Sequence, residues 1–355
     1  MTAEAGPARR MDERAHYLAT TEFAEAEVLR LGSDASIRQY FRLRGGPVPA
    51  LLMDAPSAAT TPPCPPDADE AARHQLGYAA LVRGSGNSIM AYESAANRLA
   101  GRGILVPSVL HRDVARGFAI ISDLGAMRIS QVDAGSAREA YLYHQAADIL
   151  DTLRAHPALG DAAQPWPLQA YDALAYAAEA ELLSAWYLPE LRGRPVGQEE
   201  QERLDDAWRQ VFEQLTPPRH LVHRDFHADN LMVTAEGIGV LDFQDLMLGQ
   251  AAYDWASLIE DARRDIDPAL TSELYRRAVS GADDPATFER DYAILAAQRN
   301  AKILGLFARL ARRDGKPRYL ELIPRVRRFF AADLARPPLA PVVMALEKVA
   351  PELLP

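Results

Sequence analysis

Lysine is almost missing from this chain. Lys and Arg together number 39 in 355 residues, yet the only lysines are Lys302, Lys316 and Lys348, so every cationic contact made before residue 302 falls to arginine. Cysteine is scarcer still. Cys64 stands alone, which excludes an intramolecular disulfide and a thiolate metal site and fits a reducing compartment. Positive charge as a whole is in deficit, with a formal net charge of −10. That balance excludes binding held by a broad positive field, as on nucleic acid or an anionic membrane, and leaves any anionic ligand to be met locally by a metal ion or a few aimed donors. No window approaches the roughly 18 continuous apolar residues of a membrane span, and the opening MTAEAGPARRMDERAH lacks the apolar core of a signal peptide. A cytoplasmic protein with no nucleic-acid and no membrane partner is expected; its oligomeric state is left open.

What is present divides into two patterns. Up to about residue 122 the chain reads as strands with a helix packed on them. EAEVLRLG and IRQYFRLRGG are two strands joined by the loop Gly32–Ser36, VPALLMDAP is a third, and VPSVLHR and GFAIISDLG are two more. SIMAYESAANRLAGRG has helical spacing with a left-handed stop near Gly103. The proline-rich run APSAATTPPCPPDADE reads as an exposed loop, since proline cannot donate into a ladder. From Gln131 onward, long amphipathic repeats such as AREAYLYHQAADILDTLRAH and DPATFERDYAILAAQRNAKILGLFARLARR predict a mostly helical part, with Trp186, Trp208 and Phe212 in its core. One island interrupts the helices. In Leu221–Gly249, NLMV and IGVLDF flank Ala235–Gly237 as a hairpin, which puts LVHRDFHADNLMV on the loop before its first strand.

Three chemistries fit HRDFHADN. Its charged side chains could merely cap strands and satisfy buried backbone groups. Alternating His223, Asp225, His227 and Asp229 could present ligands to zinc or iron, as in a metallohydrolase. The third reading is phosphoryl transfer, in which a carboxylate accepts a hydroxyl proton while one hard side-chain oxygen and one further carboxylate hold magnesium against phosphates. Asp225, Asn230 and Asp242 supply that set from the two ends of one hairpin. A zinc site gives Asn230 and Asp242 no role, so the third reading explains more residues.

With these residues in view, the chain resembles the kinase superfamily: the loop matches H-R-D-x-x-x-x-N, and DFQD stands where D-F-G would. Greater likeness is to the aminoglycoside phosphotransferase and choline kinase branch, whose loop reads H-x-D-x-H-x-x-N as His223, Asp225, His227 and Asn230 do. Within that branch GSDASIRQYFRL, GVLDFQDLMLGQAAYDWASLIEDAR and RNAKILGLFARLARRDGKPRYLELIPR resemble the anomeric kinases of N-acetylmuramate and N-acetylglucosamine over nearly the full length. Protein kinases proper are excluded, because the helical AAYDWASLIEDARR follows Asp242 too soon to leave a peptide-receiving segment.

The resemblance implies an α+β, two-lobed, protein-kinase-like fold. Residues 1–122 would form a β-rich nucleotide lobe, and residues 123–355 a helical lobe with the catalytic loop and acceptor site. It implies ATP and Mg2+ as cofactors and a small amino sugar as acceptor, in the recycling of cell-wall sugars. Alternatives are a same-fold kinase of an aminoglycoside, choline or homoserine, and a nucleotide-binding pseudoenzyme. In this reading Asp225 is the catalytic base, and Asn230 and Asp242 hold the metal. The pattern's third-strand lysine is absent, since Met53 or Asp54 occupies its neighbourhood, and Glu93 therefore receives no role. Its work passes to the backbone and hydroxyls of Ser33, Asp34, Ala35 and Ser36, with Arg38 or Arg42 as helpers, although either arginine could equally be an exposed strand residue. The backbone of Ser122 to Leu124 would pair with adenine. Asp254 is expected to anchor the catalytic loop as a buried acceptor. His227, Gln244, Asp245 and Arg299 are candidates for the acceptor sugar; Arg299 and Lys302 share a helical face that could also be merely solvated.

Overall fold

The computed structural model describes residues 5–32, 38–56, 63–158 and 164–354. The N-terminal strands β1 (Glu27–Arg30), β2 (Gln39–Arg44), β3 (Ala50–Asp54), β4 (Val109–Asp113) and β5 (Phe118–Ser122) form one antiparallel sheet in the order β1-β2-β3-β5-β4. Strand alternation divides β3 between two covers. Ala50 and Leu52 join Phe41, Leu43, Phe118 and Ile120 against Tyr17 and Leu18 of helix α1 (Ala5–Leu18). Met53 faces the other way, into a core shared with Ile89, Tyr92 and Ala95 of α4 (Ile89–Ala100). Between them come the short helices α2 (Glu70–Leu76) and α3 (Tyr78–Leu81). Ser88 starts α4 by accepting the N–H of Ala91, and Gly103 takes the left-handed conformation at φ 74° where the chain turns back.

Helix α1 is unannounced by the sequence because it has few apolar residues. It adheres instead through arginines, with Arg10 lying over Phe118 at 3.9 Å, Arg14 over Phe41 at 4.2 Å, and Arg10 bonded to the buried Asp54 at 2.6 Å. The exposed-loop expectation for the proline-rich run is corrected at Cys64, which is buried and accepts Gln169 Nε2 at its carbonyl.

The helical part comprises α5 (Ala137–Ala155), α6 (Ala173–Leu182), α7 (Leu188–Arg192), α8 (Gln198–Phe212), α9 (Ala252–Ile259), α10 (Pro268–Ser280), α11 (Pro285–Arg312), α12 (Ile323–Leu334) and α13 (Ala340–Val349). Trp208 and Phe212 are in the core as expected, whereas Trp186 is half-buried in a π turn between α6 and α7. Helix α11 is capped by Asp284 with Pro285 in its first turn, and it is the axis of this part, packing on α6, α9 and α12. Gly305 permits its closest approach, since a Cβ there would meet the backbone of Leu182. Among the described residues no single helix is long and apolar enough to cross a membrane.

A buried carboxyl dyad sits on this axis. Asn300 Nδ2 donates to both Glu260 (2.6 Å) and Asp333 (2.9 Å), and Tyr292 donates to Glu260. Burial first, and then the mutual repulsion of the two carboxyls, raises the pKa of Asp333 well above the ordinary range; burial raises Glu260 as well. Both acids therefore hold protons more tightly folded than unfolded. The stability this contributes is complete below the unfolded carboxyl range and is lost as pH rises through the raised values. Urea unfolding should show stability falling, as pH rises above the ordinary carboxyl range, more steeply in the parent than in Asp333→Asn. Equal slopes would mean that the dyad takes up no proton on folding.

Candidate active site

The island folds as two ribbons. β6 (His220–Val222) pairs with β9 (Met247–Gly249), and β7 (Leu231–Val233) pairs with β8 (Ile238–Val240). The loop from His223 to Asn230 leaves β6 and enters β7, and Asp242 follows β8, so the polar residues meet where the ribbons converge. The backbone N–H of Leu241 donates to the carbonyl of Asn230 at 2.9 Å, which ties Asn230 beside the residue preceding Asp242. Arg224 and Asp242 both take positive φ, 77° and 60°, a conformation uncommon for residues with a Cβ and held here by the surrounding bonds.

Those bonds can be followed one by one. Asp254 of α9 is 3% exposed and accepts the backbone N–H groups of His223 (2.6 Å) and Arg224 (2.9 Å), as its anchoring role requires. Burial pushes its pKa up to about 6. His223 Nε2 donates to Leu241 O at 2.7 Å, which leaves Nδ1 to accept the N–H of Asp225 at 3.2 Å. One imidazole thus joins the start of the loop to the Asp242 arm.

Asp225 is exposed to the cleft. Crowding by protein atoms works against its charge, but the cations Lys302 first, then Arg224 and Arg263, outweigh this and hold the carboxyl well below the usual range. Asp242 moves the other way, raised first by the same loss of hydration and then by the negative charge of Asp225. Asn230 Nδ2 donates to Asp225 O at 2.9 Å, and its amide oxygen accepts no hydrogen bond among the described residues. Two mutually repelling carboxylates beside a vacant amide oxygen fit a hard divalent cation. Gln244 Nε2 donates to Asp242 at 3.0 Å.

The metallohydrolase reading fails on geometry. His223 is engaged with Leu241, and His227 Nε2 accepts from Arg263 Nη1 at 3.2 Å. Among the described residues no group of three or more His, Cys, Asp or Glu side chains is placed to hold a metal. His227 is 4% exposed and driven well below its ordinary pKa by burial and then by Arg263, so it is neutral with its proton on a buried, unpartnered Nδ1.

Of the proposed nucleotide contacts, Ser33, Asp34, Ala35 and Ser36 lie outside the described residues. Arg38 is buried, donates to Gly86 O at 2.6 Å and reaches within 4.0 Å of Asp242. Arg42 instead pairs with Asp123 at 2.6 Å and bonds Gly125 O, bracing the turn after β5. Neither is an exposed strand residue. Of the two residues in the neighbourhood of the missing lysine, Met53 is buried in the core and Asp54 is bonded to Arg10, while Glu93 is ion-paired to Arg112. At that turn the N–H of Ser122 is taken by Ser108 O and that of Asp123 by Pro49 O. Leu124 closes over Gly239 of β8, where a Cβ would collide with it.

Among the proposed acceptor residues, Gln244 is buried and Asp245 accepts the backbone N–H of Ser85 at 2.8 Å. Arg299 is 2% exposed and Lys302 pairs with Glu179 at 2.9 Å, so the solvated-face alternative does not hold. Sequence reasoning missed Glu179 altogether. This fully buried acid of α6 accepts from Lys302, Arg224 and the Tyr171 hydroxyl. Burial opposes its charge, but Lys302 and Arg224 outweigh burial and keep it ionised. Its only signal in the sequence is its place in the apolar stretch ALAYAAEAELL, where an unpaired charge would be costly.

Residues 27–292 match the phosphotransferase enzyme family. The chain is 34% identical to the N-acetylmuramate/N-acetylglucosamine kinase of Caulobacter vibrioides, covering 95% of this chain and 96% of that protein. It is 33% identical to the enzyme of the same name from Pseudomonas aeruginosa, covering 89% and 86%. Among solved structures, aminoglycoside phosphotransferase APH(4)-Ia, in a thermostable mutant form, superposes with a TM-score of 0.59 at 13% identity, covering 91% of this chain and 100% of that one. A choline/ethanolamine kinase family protein from Mesorhizobium loti gives 0.55 at 17%, covering 96% and 99%. The two-lobed kinase-like fold expected from the motifs is therefore the fold observed, and the chain belongs to the phosphotransferase enzyme family.

Proposed function

We propose that this protein transfers the γ-phosphoryl group of ATP to the anomeric hydroxyl of N-acetylmuramate and N-acetylglucosamine, in the cytoplasm, as a step in recycling cell-wall sugars. The observation that carries the chemistry is the asymmetry between Asp225 and Asp242, one held ionised by cations and the other raised beside it. The substrate reading rests on the relatives of that activity at 34% and 33% identity over most of the chain.

In this reading residues 1–122 hold the nucleotide, and residues 123–355 carry the catalytic loop and acceptor. Asn230 and Asp242 would hold Mg2+, which when bound neutralises charge on the phosphate chain. Arg38 stands beside Asp242 and takes the phosphate-facing work that Met53 cannot do, together with the segment from Ser33 to Ser36. Adenine pairs with the turn from Ser122 to Leu124, where the engaged amides of Ser122 and Asp123 leave the Leu124 amide as the donor. On the acceptor side His227 and Arg299 flank Asp225, while Gln244 and Asp245 follow Asp242. Asp225 accepts the proton of the sugar hydroxyl as its oxygen bonds to the γ-phosphorus. The bond from that phosphorus to the β,γ-bridging oxygen breaks, and ADP leaves. The adjacent ring oxygen makes an anomeric hydroxyl more acidic than other sugar alcohols, which suits a base held in its ionised form.

Incubation with ATP, magnesium and N-acetylglucosamine should give a 1-phosphate, seen as phosphorus splitting of the anomeric proton, while the reduced sugar alcohol stays unchanged. Splitting at the C6 protons, or equal turnover of the reduced sugar, would overturn the anomeric assignment.

A further inference from the structure

Beside Asp225 lies a recess of about 30 Å³, the size of a small functional group and far below that of a sugar ring. It is lined by the Asp225 carboxylate, by Arg263, Arg299 and Lys302, and by the hydrocarbon of Ile303 and Phe307. Three cations against one carboxylate around so small a space stand out in a chain of net charge −10. Lys302 already has Glu179. The two arginines are less satisfied. Arg299 is 2% exposed, its hydrogen bond goes to the carbonyl of Glu260 at 3.0 Å, and no carboxylate forms an ion pair with it among the described residues. Arg263 meets Asp229 only at 3.6 Å and spends one donor on His227. A buried guanidinium with no carboxylate at ion-pair distance, as at Arg299, is costly, and an anion entering the recess relieves that cost.

We propose that this recess captures the carboxylate of the acceptor, with Arg263 and Arg299 as its donors and Ile303 and Phe307 against the adjoining methyl group. The inference rests on the function proposed above and deepens it. The two sugars of that reading differ at one substituent. N-acetylmuramate carries a lactyl ether, which is a carboxylate with a methyl group on the neighbouring carbon, and N-acetylglucosamine carries a hydroxyl there. A recess lined by an excess of cations and by hydrocarbon matches both parts of the lactyl group. A carboxylate bound there lies on the same side of the cleft as Asp225, so it aligns the sugar as well as selecting it. Arg263 and Arg299 are specificity-determining residues in this account.

The test compares kcat/KM for N-acetylmuramate, its neutral methyl ester and N-acetylglucosamine in the parent, Arg263→Gln and Arg299→Lys. Because Arg299 is buried and its variant could fail to fold, the partly exposed Arg263 carries the comparison, with melting curves recorded for both. The parent should prefer the acid to its methyl ester by about 10- to 100-fold, as expected for charge-assisted hydrogen bonds, and Arg263→Gln should erase most of that preference. A uniform loss on all three sugars would overturn the proposal and assign the arginines to the nucleotide phosphates instead. An unchanged ratio of acid to ester would overturn it too. A parent that phosphorylates none of the three sugars would sink the underlying function, a result plainly different from loss of discrimination alone.

Discussion

Asp225→Asn is expected to bind ATP with magnesium as the parent does while its turnover falls by about 10²- to 10⁴-fold, the range for losing a general base. The amide is nearly isosteric, so the loop held by Asp254 and His223 should keep its course. What disappears is the proton acceptor and the negative charge that faces Lys302 and Arg263. Asp242→Asn should fail differently. Its carboxylate stands with Asn230 on the metal side, so the magnesium-dependent part of ATP binding should be lost while the weak metal-free binding remains. Titration calorimetry with and without magnesium separates the two, and turnover is read by ADP release. If both variants bind nucleotide and turn over like the parent, the roles given to these aspartates are wrong.

Glu179→Gln should be the most damaging single change to stability. Glu179 is 1% exposed and faces Arg224, Lys302 and the Tyr171 hydroxyl. Removing its charge leaves two buried cations facing each other, and breaking a buried pair in this way costs about 3–5 kcal/mol. Urea unfolding would show the loss directly. Activity should fall as well, because Arg224 adjoins Asp225 and Lys302 is the cation that does most to keep that carboxylate ionised. A stability loss under about 1 kcal/mol would mean that both cations find water on substitution, as surface pairs do.

Local patterns made much of this legible in the sequence. The hairpin at Leu231–Val240, the strands of the N-terminal sheet and the long helix α11 all follow from alternation, helical repeat and turn residues, and these depend on near neighbours. The motif HRDFHADN also announced itself, because few other arrangements need those residue types at those spacings. What stayed hidden depends on partners distant in sequence. Glu179 reads as one more helix acid until α11 brings Lys302 and the catalytic loop brings Arg224 to it. Arg299 and Lys302 read as a basic stripe, since spacing gives the face of a helix but not what that face meets. Helix α1 escaped because arginines lying over aromatic rings carry no apolar periodicity. The loop from Ser33 to Ser36, on which the nucleotide reading leans, lies outside the described residues.

The absence of any lysine before residue 302 also decides how this enzyme can be detected. Activity-based probes built on ATP carry an acyl phosphate that transfers a tag to an amine beside the phosphates. The first lysine in this chain is Lys302, whose ammonium is buried and held by Glu179. Arg38, the cation beside Asp242, carries a guanidinium, which is not the amine such probes acylate. A chemoproteomic census of kinases by amine labelling would therefore pass over this protein even in a cell where it is abundant and active, and a method that captures bound nucleotide without covalent tagging would be needed to count it.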